Sequence, residues 1–148
     1  MTELIQLIAS FAGAVGFSLI FGLHGKQIVL AGVGSTCTWG CYLLACFLGC
    51  DEHISVFLAA VFGSFFSEIL AKLLKVPKTV FLFSVLISLI PGSNLYLALR
   101  YAIAKDVALA TANGIETLTV ALGISLGIIV MLVWTQIQAW VKNREPRA

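Results

Sequence analysis

The segment 90–96, which reads IPGSNLY, interrupts an apolar stretch with residue types that can bind an anion. Pro91 removes a backbone N–H and clashes with a preceding helical turn, while Gly92 permits a non-helical bend. A helix that restarts here, capped by Ser93 or Asn94, would present free amide groups and the positive end of its dipole. Discontinuous transporter helices hold substrate carboxylates in this way. The alternative is a simple proline kink, or a loop between two shorter helices.

Three residues of the restarted helix, Ser93, Tyr96 and Arg100, fall on one face, so a cation lies about two turns from the break. A helix over residues 79–90 would rise about 18 Å and carry the break past the middle of the bilayer. We therefore expect a substrate-binding site formed by Pro91, Gly92, Ser93, Asn94, Tyr96 and Arg100. In this site Arg100 would act as the counter-charge.

Glu68 is the second candidate, since a carboxyl group within an apolar segment needs a physical reason. Ser64 precedes it and Lys72 follows it, each four residues away. Glu68 lies about 9 Å inside the end of its helix, where it could carry a coupling proton. The alternative is an ion pair with Lys72 that reaches the membrane interface, because Glu before Lys at this spacing is favourable.

A polar stripe on the last apolar segment is the third candidate. Asn113, Glu116 and Thr117 fall within about 100° of one another on a helix, and Gly123 and Gly127 continue the stripe. Glu116 would lie about 15 Å deep, so it must be protonated, paired or in a watery cavity. We expect Glu116 and Asn113 to serve ion or proton coupling, or to face a subunit. The alternative is hydrogen-bonded helix packing.

Five apolar segments must position these groups. They cover residues 4–22, 27–49, 54–74, 79–103 (interrupted at Pro91-Gly92) and 107–137. The chain is 60% hydrophobic and 11% charged, with a mean hydropathy of +1.05, and most segments approach the roughly 20 residues that span a bilayer. The sequence predicts an all-α, polytopic transmembrane bundle of about five helices, one of them broken by Pro-Gly, as a single domain over residues 1–148.

Several classes of site are not expected. The net charge of +2 is too small and scattered for a nucleic-acid surface. Cys37, Cys41, Cys46 and Cys50 form two pairs on opposite faces of one helix, so they cannot surround one metal ion. The motifs of nucleophilic catalysis and nucleotide binding are missing from the sequence. We expect no enzyme, no metal and no cofactor.

The basic residues predict an orientation. Seven Lys and Arg residues would lie on one side of the membrane: Lys26, Lys72, Lys75, Lys78, Lys142, Arg144 and Arg147. The other side would hold Glu3, the Asp51-Glu52 turn, Arg100 and Lys105. By the positive-inside rule, the N-terminus is external and the C-terminus cytoplasmic.

Three stretches resemble the C-terminal half of the threonine/serine exporter family. One reads AVGF at residues 14–17, with Phe21 and a basic turn at Lys26 after it; a second reads KVPKTVF at residues 75–81 and leads to IPGS at 90–93 and Tyr96. The polar, then glycine-rich, region 111–127 is also similar. Family members usually have Pro-Gly-Gly or Pro-Gly-Ile at the break, where this chain has Pro-Gly-Ser-Asn.

The resemblance implies an inner-membrane secondary transporter that exports a small carboxylate, either a dicarboxylate such as succinate or an amino acid such as threonine or serine. The short chain resembles the small subunit of two-component succinate exporters, which implies a second membrane subunit carrying the N-terminal half, or a homo-oligomer. Two other functions stay open: a non-catalytic assembly or scaffold subunit whose polar stripe docks a partner, and a small homo-oligomeric channel.

Overall fold

The computed structural model of the chain describes residues 2–144, with side chains as far as residue 141. Within that range the elements are α1 (Thr2–Ile20), α2 (Lys26–Phe47), α3 (Glu52–Leu74), α4 (Lys78–Leu86), a 3₁₀ turn (Ile87–Leu89), α5 (Gly92–Ile103) and α6 (Val107–Arg144). The predicted all-α class is confirmed. Arg147, one of the residues used to predict the orientation, lies outside the described residues.

Length and apolar composition identify the helices that can cross a membrane. They are α1, α2, α3 and residues Val107–Val141 of α6, and α4 with its 3₁₀ turn qualifies together with α5 as a pair bent by 63°. The prediction of about five helices, one broken at Pro91-Gly92, is therefore confirmed. α6 continues to Arg144, beyond the predicted end at residue 137. It is about 57 Å long, which exceeds a hydrocarbon core of about 30 Å.

A residue with left-handed backbone conformation (positive φ) follows each of α2 and α3, and the chain turns sharply there into the next connection. Gly49 (φ 85°) follows α2. Lys75 (φ 55°) follows α3, and the Val76 N–H donates to the carbonyl of Ala71 at 3.2 Å. Glycine adopts this conformation freely, whereas a residue with a Cβ such as Lys75 does so at a cost of about 1–2 kcal/mol. Pro77 then prevents α3 from continuing.

Small side chains fill the core between the helices. Buried examples are Ala14, Ser18, Ala31, Ser35, Thr38, Ala59, Ala60, Ser67 and Ser84. Small residues allow helix backbones to approach closely, which is how helices associate in lipid. The hydroxyls of Thr38 and Ser67 each donate to the carbonyl four residues earlier at 2.8 Å, so these polar groups are satisfied within their own helices. Phe81 is the largest fully buried side chain.

α6 packs against α3 through its glycines. A Cβ added at Gly127 would lie 2.7 Å from the Cβ of Ala60 and 3.0 Å from the carbonyl oxygen of Phe57, and one added at Gly123 would lie 3.6 Å from the carbonyl oxygen of His53. Gly123 therefore lies level with the start of α3, and the first turns of α6 extend past it. α5 packs on α6, and none of its twelve residues, all of them described, is buried.

Candidate functional site

The break consists of two residues, Ile90 and Pro91, between the 3₁₀ turn that follows α4 and the start of α5. Ile90 is extended (φ −64°, ψ 126°), Pro91 follows (φ −77°, ψ 59°), and α5 begins at Gly92. The Gly92 N–H donates to the carbonyl of Ile90 at 2.8 Å. α5 thus starts two residues earlier than a cap at Ser93 would allow and three earlier than a cap at Asn94, and no described side chain caps it. Ser93 and Asn94 lie in the first turn, where backbone amides lack partners within a helix.

A cavity of about 120 Å³ adjoins the break. Pro91, Ser93 and Asn94, three of the six residues of the predicted site, line it. The surrounding helices supply the rest of the lining: Trp39, Tyr42, Glu52, Val56, Ser88, Leu89, Ile90 and Val120. The first turn of α5 therefore borders a small open cavity that residues of α2, α3 and α6 complete.

The other three residues of the predicted site, Gly92, Tyr96 and Arg100, are not part of this cavity lining. Tyr96 is 63% exposed, and Arg100 is exposed in the last turn of α5. Arg100 lies seven residues beyond Ser93 on a straight helix, so its Cα is about 10 Å farther along the axis. The structure brings together the N-terminal part of the predicted site and leaves the predicted counter-charge outside it.

Two aromatic residues of α2 face the break and were missed in the sequence. The rings of Trp39 and Tyr42 have centroids 4.8 Å apart. The indole N–H of Trp39 donates to the side-chain oxygen of Gln6 at 3.3 Å, which links α2 to α1. Trp39 also lines a second cavity of about 330 Å³, together with Gln6 and Ser88. Trp39 and Tyr42 are three residues apart, so they share one face of α2, and each carries a polar group on its ring. Two such residues within an apolar segment were the signal in the sequence that could have identified them.

Glu68 lies at the opposite end of α3 and forms two ion pairs. Its carboxylate is 3.2 Å from the Lys72 Nζ and 3.7 Å from the Lys78 Nζ, and its side chain is 17% exposed. The Lys72 pair follows from the sequence, whereas the Lys78 pair depends on how α4 packs on α3. Glu68 also lines a separate cavity of about 120 Å³ with Ser64 and Thr79. Its coupling role remains a prediction.

The polar stripe of α6 divides in two. Asn113 and Thr117 bond within their own helix: the Asn113 Nδ2 donates to the Leu109 carbonyl and the Thr117 Oγ1 to the Asn113 carbonyl, both at 2.8 Å. Glu116 instead faces α3, where its Oε1 lies 3.8 Å from the Nδ1 of His53. His53 was missed because it follows the acidic turn directly, and nothing in the local sequence shows that it points at α6.

The three predicted groups do not form one site. His53 and Glu68 are fifteen residues apart on α3, which corresponds to about 22 Å along the helix. Glu116 lies near the break cavity, since Val120, one turn later on α6, is part of that cavity lining. The break and the His53–Glu116 pair are therefore neighbours, and Glu68 is remote from both.

The family of the chain is identified by comparison with known proteins. The family model described as "Threonine/Serine exporter, ThrE" matches residues 6–133. No curated protein and no solved structure matches the chain. The matched region includes most of α1, all of α2 to α5 with the break, and most of α6. α1, α2, α3 and α6, and α4 and α5 as a pair, have the length and composition of membrane spans. The chain is a transporter-type membrane protein that belongs to the threonine/serine exporter family.

Proposed function

We propose that this chain is one subunit of a secondary transporter that exports threonine or serine across the inner membrane. The observation that carries the proposal is the bent α4–α5 pair with a cavity beside the first turn of α5. Helix starts attract carboxylates through free amides and a partial positive charge. Transporters use such interrupted helices near the middle of the membrane to hold substrates.

Glu52 favours an amino acid over a dicarboxylate. Glu52 lines the same cavity as Ser93 and Asn94, so a bound anion would meet a negatively charged residue as well as the helix start. An amino acid suits both, because its ammonium group can pair with Glu52 while its carboxylate faces the amides. Succinate has no positive group to offer Glu52. Tyr42 and Ser88 line the same cavity, and a hydroxyl group of either residue could bond to a substrate hydroxyl.

Transport would proceed by alternating access around this cavity. α5 makes most of its contacts with α6, so α5 and the part of α6 before Gly123 can move together relative to the remaining helices, while Gly123 and Gly127 keep the rest of α6 on α3. Rotation of α5 toward α2 would bring Tyr96 and Arg100, on the face of Ser93, closer to the substrate. In this scheme Glu68 or Glu116 carries the coupling proton, with Asn113 beside Glu116. The N-terminus is placed outside and the C-terminus in the cytoplasm, in line with the positive-inside rule.

A second membrane subunit completes the proposed transporter. Substrate sites in this class of protein usually lie between two related sets of helices. This chain has one broken helix in its described residues and no visible internal repeat, so the second set would come from another chain or from a second copy. Export measured for the chain alone and with a neighbouring membrane protein tests this, and full activity from the monomeric chain would refute it.

The break is tested by replacing Pro91 and Gly92 with alanine. We expect efflux of threonine and serine from loaded cells to be abolished while the protein stays in the membrane, because a continuous helix has no free amides at this point. Gly114→Ala is the matched control, since a Cβ there has no neighbour within 4 Å among the described residues. Undiminished efflux in the double variant would reject the assignment. A Glu116→Gln variant that loses only complex formation would support an assembly subunit instead.

A further inference from the structure

His53 and Glu116 are the only described ion-pair partners that join α3 to α6. The Nδ1 of His53 lies 3.8 Å from the Oε1 of Glu116, and the two side chains are 40% and 38% exposed. Within residues 2–144 the Nδ1 atom is buried and has no hydrogen-bond partner. The two groups are thus close but not bonded. A small movement, or a proton on the imidazole, would convert the contact into a charge-assisted hydrogen bond.

The pair lies beside the cavity at the break. Glu52, the neighbour of His53 on α3, and Val120, one turn after Glu116 on α6, both line that cavity. His53 is the second residue of α3, at the end of the bundle predicted to be external. It is therefore close both to the proposed substrate and to the side from which protons would enter during export.

The pair lies where α6 meets the start of α3. Gly127 and Gly123 hold the two helices in close contact further along, and Glu116 lies two turns before Gly123, where α6 passes the start of α3. A bond between His53 and Glu116 would tie this part of α6 to α3. α5 packs on the same part of α6. A bond between His53 and Glu116 would therefore also restrict the position of α5 beside the cavity.

The charged groups around His53 are few. Glu116 faces it from α6, and Asp51 and Glu52 adjoin it in the sequence at the start of α3. Tyr42 of α2 lines the break cavity together with Glu52. On the other side of His53 a surface cavity is lined by α3 and α6 residues such as Phe57, Thr119 and Leu122, none of which titrates. A proton on His53 would thus meet mainly negative neighbours.

We propose that His53 and Glu116 together form the proton-binding site that couples export to proton entry. This inference rests on the proposed function and selects between its two candidate carboxylates. Histidine changes charge between about pH 5 and pH 8. A proton from the external side binds the imidazole of His53, the imidazolium donates its Nδ1–H in a hydrogen bond to the Glu116 carboxylate, and the proton is released when the adjoining cavity opens to the cytoplasm and the pair separates. Glu68 is less suited, since two lysines already balance its charge.

The test compares two assays on the transporter complex in proteoliposomes. Export driven by a proton gradient requires the coupling site, whereas exchange of labelled for unlabelled threonine at equal pH requires only the substrate site. We expect His53→Gln and Glu116→Gln each to lose gradient-driven export and its dependence on external pH, and to keep exchange. His24→Gln replaces the other histidine of the chain and should behave like the unmodified protein in both assays.

The outcomes separate this inference from the proposed function. Gradient-driven export by His53→Gln with an unchanged pH profile would overturn the assignment while the transporter proposal stands. If His53→Gln loses both exchange and gradient-driven export, His53 contributes to the substrate site or to the stability of the protein. That result would also overturn the assignment of His53 to proton coupling. Absence of exchange in the unmodified complex would refute the proposed function itself. Combining both substitutions should add no further loss if the two residues act as one unit.

Discussion

Glu68 and Lys78 connect the end of α3 to the beginning of α4, with the Oε2 of Glu68 3.7 Å from the Nζ of Lys78. Lys72 approaches the other carboxylate oxygen at 3.2 Å. The Glu68 side chain is 17% exposed, against 68% for Lys72 and 47% for Lys78. One mostly shielded carboxylate therefore balances two lysines that reach toward the aqueous phase, which favours a structural role at this end of the bundle.

Replacing Glu68 with glutamine should weaken this end of the bundle. We expect the free energy of unfolding in detergent to fall by about 1–2 kcal/mol, between the ranges for exposed and buried pairs, and the difference to shrink at high salt. Lys72→Gln is the control and should cost less, because that side chain is the most exposed of the three. Equal losses for the two variants would contradict this account.

Gly127→Ala should destabilise the contact between α3 and α6. The new methyl group would meet the Cβ of Ala60 at 2.7 Å and backbone atoms of Phe57 and Val61 at 3.0 Å, so one helix must shift, at a cost of about 1–3 kcal/mol. Gly114→Ala, on the same helix but in open space, should instead stabilise the helix by about 0.5–1 kcal/mol. Thermal unfolding of both variants in detergent measures the difference, and a shift of the same sign in both would count against close packing at Gly127.

Glu52→Gln should change the substrate preference of the transporter. If Glu52 pairs with the substrate ammonium group, its loss removes a charge-assisted bond worth about 1.5–3 kcal/mol. This corresponds to an apparent affinity for threonine and serine lower by about tenfold or more. The apparent affinity for carboxylates that lack an ammonium group should not fall. Asp51→Asn, next to it but outside the cavity lining, is the control, and an equal loss for all substrates would argue against the pairing.

Cysteine labelling tests the orientation. Cys50 lies in the connection between α2 and α3, predicted to be external, whereas Cys37 lies within α2. In variants that keep only one of the four cysteines, an impermeant maleimide added to intact cells should label Cys50 and leave Cys37 unlabelled. A reporter fused to the C-terminus should read cytoplasmic. Labelling of Cys50 only after the cells are opened would show that the α2–α3 connection is cytoplasmic, opposite to the predicted orientation.

The apolar segments and the Pro91-Gly92 break could be predicted from the sequence because both are local properties. Bilayer thickness sets the length of a span, so segments 27–49 and 54–74 end within two residues of α2 and α3. Pro91 disturbs a helix wherever it occurs. The family resemblance, based on short stretches around the same break, agrees with the match over residues 6–133.

The sequence could not show which residues lie next to each polar group, because this depends on how the helices rotate and slide against one another in the folded bundle. Glu116 could be recognised as a carboxyl group that needs a partner, but His53 becomes that partner only because Gly123 and Gly127 bring α6 against the start of α3. Trp39 and Glu52 likewise meet Ser93 only in the assembled bundle. Contacts between small residues far apart in the chain set these rotations, so periodicity within a single helix could not reveal them.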